Sequence, residues 1–128
     1  MTIAILIKES RDDELLIMAQ VNEQTLREMV EAIVKEVDPE KIILFGSRAR
    51  GQDGPDSDLD LLIIEREPFG AVRSRRREMA RVRRALSSFR VPKDILVYSV
   101  EEAQKWSDAQ NHLLAHSLRE GKLLYERP

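Results

Sequence analysis

The sequence predicts an α/β or α+β domain in which helices pack on a β-sheet. Three apolar runs have the length and composition of buried strands: KIILF at 41–45, a run at 58–64 that ends in LDLLII, and KDILVYS at 93–99. Between them, apolar residues recur every three or four positions, as they do on one face of an amphipathic helix. Helical and strand patterns that alternate in this way indicate one sheet with helices on its faces.

Length and composition fit one domain over 1–128, with residues 1–20 as an N-terminal extension of uncertain role. The chain has 21 Lys and Arg against 23 Asp and Glu, and this net charge of -2 argues against direct binding of nucleic acid. The absence of cysteine excludes disulfides and thiol nucleophiles, and it suits a cytoplasmic protein. The early apolar run IAILI is too short to cross a membrane, so we expect no membrane partner.

The first clear helical pattern begins after Asn22, a residue type that favours helix N-caps, and stops at Asp38-Pro39. Its predicted apolar face consists of Leu26, Met29, Val30, Ile33, Val34 and Val37. Because strand 41–45 follows at once, this helix should pack on the sheet.

The segment 69–90 predicts a long second helix. Its predicted apolar face consists of Val72, Met79, Val82, Leu86 and Phe89. Val91-Pro92 ends it, and strand 93–99 follows. EEAQKW at 101–106 and AQNHLLAHSLRE at 109–120 predict further helical stretches, before Gly121 as a C-cap and a last short segment, KLLYE.

The segment 69–90 also carries eight arginines and one glutamate. One interpretation is a surface for an acidic partner, RNA or a triphosphate. The other is a solvated helix face whose arginines pair with carboxylates elsewhere. Aromatic residues are not interleaved with the arginines as RNA binding would favour.

Strand 58–64 places two carboxylates on one face. Side chains alternate along a strand, so Asp58 and Asp60 point the same way with their Cα atoms about 7 Å apart. Two unpaired like charges are unfavourable there, and a hard divalent cation such as Mg²⁺ would resolve the conflict. Asp-x-Asp alone is also typical of a loop edge.

Asp94 stands near the start of strand 93–99, as the other two acids do in theirs. If the strands are neighbours, the three carboxylates can converge and hold two metal ions, one to activate a hydroxyl and one to hold a triphosphate. Tyr98 shares a strand face with Asp94, so it is a candidate lining residue as well as a packing residue.

Gly46 and Ser47 lie where strand 41–45 ends and a short turn, SRAR, begins, so backbone N–H groups and the serine hydroxyl can face a phosphate. Gly-Ser, ten intervening residues and Asp-x-Asp, within GSRARG at 46–51 and SDLDLLI at 57–63 and with Asp94 beyond, resembles the polymerase-beta-like nucleotidyltransferase superfamily. The chain looks like one of its minimal nucleotidyltransferases, the MNT proteins.

That resemblance implies a small mixed β-sheet flanked by helices, and attack of a hydroxyl on the α-phosphate of a nucleoside triphosphate. Asp58, Asp60 and Asp94 would be the catalytic residues and would ligate two Mg²⁺ ions. The nucleotide would be bound by Gly46, Ser47, Arg48 and Ser57. For Arg48, simple exposure on the short helix is an equal alternative.

MNT proteins are commonly the antitoxin of a toxin–antitoxin pair and transfer AMP to a tyrosine of a HEPN toxin. The resemblance therefore implies an ATP-dependent protein adenylyltransferase whose partner is a HEPN-type toxin. Two alternatives stay open. The chain could be a catalytically vestigial antitoxin that masks its partner by contact, or a nucleotidyltransferase for a small molecule or an RNA end.

Overall fold

A computed structural model of the protein describes residues 23–46, 59–106, 115 and 120–128. In this part of the chain it contains helices α1 (Glu23–Val37), α2 (Arg75–Ala85) and α3 (Val100–Trp106), and strands β1 (Lys41–Phe45), β2 (Leu59–Glu65), β3 (Lys93–Ser99) and β4 (Lys122–Glu126). The predicted N-terminal extension, the segment around Ser47 to Asp58 and nearly all of 109–120 lie outside the described residues. None of the helices in the described ranges is long and apolar enough to cross a membrane.

The four strands form one mixed sheet in the order β3-β2-β1-β4. β1 is antiparallel to both β2 and β4, whereas β2 and β3 are parallel. A parallel pair needs a long crossover connection, and α2 supplies it between β2 and β3. The predicted α+β class, with a small mixed sheet flanked by helices, is confirmed.

One face of the sheet carries the main core. Leu59, Leu61 and Ile63 of β2 are fully buried there, beneath the apolar sides of α1 and α2. Burial of that many aliphatic side chains, at about 1.5–3 kcal/mol each, is the main force that holds the two helices on the sheet. This face also fixes which way the other side chains of β2 point.

The opposite face carries a smaller cluster. Leu62 and Ile64 of β2 pack there with Ile43 of β1, and Val100 and Ala103 of α3 cover them. The predicted alternation along β2 is therefore confirmed, because its odd-numbered and even-numbered residues enter different clusters. Asp60 belongs to the even-numbered set, on the side of α3.

The structure confirms the first helix and its end. Leu26, Met29, Val30 and Ile33 of α1 are buried as predicted. The helix stops because Asp38 adopts a left-handed conformation with φ of 47°, and Pro39 cannot continue the hydrogen-bond ladder. The Asp38 N–H still donates to the carbonyl of Val34 at 3.0 Å.

The extent predicted for the second helix is wrong. Helix α2 covers only Arg75–Ala85, and Val72 is fully exposed instead of contributing to the apolar face. Ser74 adopts an extended conformation, and its hydroxyl accepts a 3.3 Å hydrogen bond from the Arg77 N–H as an N-cap. Just before it, the Gly70 N–H donates to the carbonyl of Arg73 and closes a turn. Among the predicted apolar residues, Val82 and Leu86 are buried, and Met79 and Phe89 pack against the core.

Candidate functional site

Asp60 and Asp94 lie side by side. β2 and β3 are parallel neighbours, and their register pairs Asp60 directly with Asp94. Paired residues on adjacent strands have Cα atoms about 5 Å apart and side chains on the same face. Asp60 is half-buried and Asp94 is exposed, so both carboxylates lie at the accessible start of their strands rather than in the core. The two strands are therefore neighbours, which is the condition on which the predicted convergence of these acids depends.

Gly46, directly after the end of β1, lies beside Asp60. We call Gly46, Asp60 and Asp94 the acidic corner. The last residue of that strand, Phe45, pairs with Asp60, so Gly46 follows at the height of the carboxylate. Its φ of +76° is a conformation that side-chain-bearing residues rarely adopt. A Cβ at this position would stand 3.0 Å from the carboxyl carbon of Asp60 and closer still to Oδ2. The backbone of Gly46 and the carboxylate of Asp60 are therefore packed against each other.

Two adjacent carboxylates are a favourable place for a bound cation. Like charges directly opposite each other on neighbouring strands are destabilising. Carboxylate oxygens are the ligands that Mg²⁺ and Ca²⁺ prefer. Within the described residues no group of three or more metal-binding side chains occurs. Asp58, the third predicted ligand, lies outside them, so the pair seen here fits a cation of this kind as a partial site.

Four of the predicted site residues are not among the described ones. Ser47, Arg48, Ser57 and Asp58 all belong to the 47–58 connection between β1 and β2. Their roles stay predictions from the sequence. The residues that flank the connection, Gly46 and Leu59, are placed, and they fix where both of its ends enter the sheet.

A family model described as a nucleotidyltransferase domain matches residues 26–123. The chain belongs to this nucleotidyltransferase family. The family predicted from the Gly-Ser and Asp-x-Asp motifs is thereby confirmed. A search of curated proteins found no match.

Two solved structures share the fold of this nucleotidyltransferase domain. One is a candidate nucleotidyltransferase from Sulfolobus solfataricus, with a TM-score of 0.62, 20% identity, and coverage of 94% of this chain and 93% of the other. The second is a toxin–antitoxin structure with AMP-PNP, with a TM-score of 0.52, 18% identity, and coverage of 79% of this chain and 73% of the other. At these identities both likenesses show a shared fold.

Beneath the acidic corner, the nucleotidyltransferase domain has an apolar base. Leu96 and Tyr98 continue the face of Asp94 along β3 and pack in the smaller cluster. Tyr98 is four residues from Asp94, about 13 Å along the strand. Its ring faces the guanidinium of Arg75, 4.7 Å from the carbon of that group. Tyr98 therefore acts as a packing residue that anchors β3.

Arg75 joins three elements on this side of the sheet. From the start of α2 it donates to the carbonyl of Val97 at 2.7 Å and pairs with Glu102 of α3. Burial acts to raise the pKa of Glu102, but the hydrogen bonds from Arg75 and Ser99 outweigh it, so the pKa is lowered and the carboxylate stays ionised. The Ser99 N–H donates to this carboxylate at 3.0 Å. These bonds help to fix β3, and hence Asp94, relative to its neighbours.

The sequence did not predict a second ionic group at the far end of β2. Glu65 and Glu78 are 3% and 8% exposed, and Arg73 donates to both. Burial first, and then the neighbouring Glu78, raise the pKa of Glu65 to about 7, although Arg73 opposes the shift. Glu65 lies five residues from Asp60, about 16 Å along the strand, so the group of Glu65, Glu78 and Arg73 does not belong to the candidate site. The signal in the sequence was Glu65 itself, a charge directly after the apolar LDLLII.

Most arginines of the segment 69–90 fall into two sets in the structure. Arg73, Arg75 and Arg81 pair with carboxylates, as the structural interpretation holds. A second set is exposed on α2 and makes no ion pair with any residue that the structure describes: Arg76, Arg77, Arg83 and Arg84.

Proposed function

We propose that this nucleotidyltransferase domain transfers a nucleoside monophosphate, AMP from ATP, to a hydroxyl of a partner protein. The partner is a HEPN-type toxin, and the chain acts in the cytoplasm as its antitoxin. The observation that carries the transfer chemistry is the pairing of Asp60 with Asp94 beside the backbone of Gly46. Two oxygen-donor side chains that can hold a divalent cation are what metal-assisted nucleotidyl transfer requires.

In this proposal, Asp58 and Asp60 hold Mg²⁺, and Asp94 is the third ligand. When bound, the ions supply Lewis-acid stabilisation of the charge on the phosphate oxygens. Gly46 and Ser47 hold the triphosphate, with Arg48 and Ser57 beside it. The acceptor hydroxyl forms a bond to the α-phosphorus, the bond to the β-phosphate oxygen breaks, and pyrophosphate leaves. Asp94, exposed at the start of its strand, accepts the proton that the hydroxyl loses.

The choice of a protein acceptor has its own support. The toxin–antitoxin structure with AMP-PNP shares the fold over 79% of this chain. That structure combines a toxin, an antitoxin and a nucleotide analogue, which supports a partner protein as the acceptor in our proposal.

The test uses the protein, Mg²⁺, ATP labelled on the α-phosphate, and the product of the neighbouring gene. We expect label on the partner protein. Asp60→Asn and Asp94→Asn should each slow labelling by about 100-fold or more, because a metal contact worth several kcal/mol in the transition state is lost. Glu101→Gln is the matched control: it removes an exposed carboxylate of α3 and should leave the rate unchanged.

Other outcomes identify the alternatives. Inhibition of the partner without label transfer would mean that the chain masks its partner by contact alone. Label on an added RNA or small molecule, with none on the protein, would mean a different acceptor class. Either result would refute the proposed acceptor.

A further inference from the structure

An open groove of about 760 Å³ lies between α2 and the segment that precedes it. Val72 and Ala80 contribute apolar surface to it, and Arg77 and Arg84 contribute positive charge. Arg77 and Arg84 are two helical turns apart, about 10 Å, so their side chains flank Ala80 on one side of the helix. We call these four residues the arginine groove.

The apolar part of the arginine groove is not needed by the fold. Val72 is 101% exposed and lies outside α2, whereas the apolar residues of the helix face the core. A single exposed valine needs no explanation by itself. Here, however, it borders the open groove together with the exposed Ala80, and a small apolar side chain of another molecule could pack against both.

The charged part is equally unneeded by the fold. The other charged residues of the lining are two arginines and two glutamates that pair with one another: Arg73 pairs with Glu67 and Glu78, and Arg81 pairs with Glu78. Arg77 and Arg84 are exposed, and neither makes an ion pair with a residue in the described ranges. Two positive groups at this spacing, in a protein of net charge -2, are complementary to two acidic groups on a ligand.

We propose that the arginine groove docks an acidic segment of the partner protein, one that carries an apolar side chain flanked by carboxylates. The apolar side chain packs on Val72 and Ala80, and the carboxylates pair with Arg77 and Arg84. The lining favours protein over RNA, because it offers apolar surface and no aromatic ring on which a base could stack.

This inference rests on the proposed function for the identity of the partner, since it takes the acceptor protein as the ligand. The arginine groove lies by the loop that follows β2, whereas Asp60 lies near the start of that strand. The groove is also on the α2 side of the sheet, whereas Asp60 is on the α3 side. Docking there would tether the partner, so that another part of it reaches the acidic corner at a raised effective concentration, without any contact between the groove and the reacting atoms. Binding and transfer are therefore separable.

The test compares two double variants of one helix. Arg77→Glu with Arg84→Glu reverses the charge in the groove. Arg76→Glu with Arg83→Glu makes the same charge change at the same seven-residue spacing, on exposed arginines that do not line it. All four side chains are exposed, so thermal unfolding should confirm that both variants are folded. Val72→Asn tests the apolar contact alone.

Affinity for the product of the neighbouring gene is measured by calorimetry, and labelling is measured separately. We expect the groove double variant to weaken binding by about 30-fold, Val72→Asn by about 5-fold, and the matched double variant by less than about 3-fold. In labelling, the groove variant should raise KM for the partner and leave kcat unchanged. Wild-type affinity should fall as salt is added.

Equal loss of affinity in the two double variants would mean that only net charge matters, and it would overturn the proposal. The proposal is also overturned if the groove variant binds as tightly as wild type, or if the wild-type protein forms no complex. A complex that forms without labelling, yet still depends on the groove, would refute the proposed function and keep the docking site. Sedimentation of the protein alone and binding to single-stranded RNA test other ligands. A dimer or an RNA complex lost only in the groove variant would assign the groove to that ligand and overturn ours.

Discussion

At the scale of single residues, Gly46 carries two constraints at once. Its φ of +76° disfavours any side chain, and the Asp60 carboxylate occupies the space that a Cβ would take. Gly46→Ala should therefore cost about 1–2 kcal/mol of unfolding free energy, measured by urea titration. The rate of nucleotidyl transfer should fall by more than this loss of stability alone would cause, because Asp60 has to move.

Gly70 supplies the control for this prediction. A Cβ built there meets nothing within 4 Å. Gly70→Ala should change the free energy of unfolding by less than about 0.5 kcal/mol and leave transfer intact. If the two substitutions behave alike, Gly46 does not support Asp60 as described.

The strand face on which Asp60 lies could be predicted from the sequence because it depends on local geometry. Alternation along a strand is a property of the backbone, so Asp60 shares a face with Leu62 wherever the strand lies. The contact between Gly46 and Asp60 could not be predicted in the same way. It depends on the register between β1 and β2, which the sequence of neither strand specifies alone.

At the scale of elements, the start of α2 is where the apolar periodicity led to a wrong prediction. The apolar spacing continues back to Val72, but the helix begins only at Arg75. Periodicity shows which residues can share a helix face. It does not show where a helix begins, because a serine side chain can accept a hydrogen bond from the backbone and end the helix there, as Ser74 does. The strands at 41–45 and 93–99 were predicted with the correct bounds, because turn residues and prolines flank them.

The same cap can be tested. Ser74→Ala removes the side chain that accepts from the Arg77 N–H, so the free energy of unfolding should fall by about 1 kcal/mol in urea titration. Ser88→Ala removes an exposed hydroxyl just beyond the same helix and should have little effect. Equal stability of the two variants would show that the cap contributes nothing to α2.

At the scale of the whole molecule, β2 separates two charged regions. Its start carries Asp60, beside Asp94, and its end carries Glu65 within a buried ionic group. That group joins β2 to both large helices, because Arg73 links Glu65 to Glu78, and Arg81 links Glu78 to Glu36 of α1. Protonation of Glu65 should therefore change the free energy of unfolding of the whole domain.

Glu65 gives the fold a specific dependence on pH. Burial and Glu78 raise the pKa of Glu65 from 4.5 to about 7, and within the described residues its Oε2 atom has no hydrogen-bond partner when ionised. Between these pH values the folded protein holds a proton that the unfolded chain has released. The free energy of unfolding therefore falls as pH rises from 4.5 to 7, by at most about 3 kcal/mol, and levels off above pH 7.

Glu65→Gln isolates this contribution. The amide resembles the protonated carboxyl: it can accept from Arg73 and donate to Glu78 at any pH. Urea titrations from pH 4.5 to 8 should show the variant gaining stability relative to wild type through pH 7 and holding a constant difference beyond it. Glu101→Gln, at an exposed position of α3, should follow wild type throughout. Parallel curves for Glu65→Gln and wild type would mean that folding does not raise the pKa of Glu65.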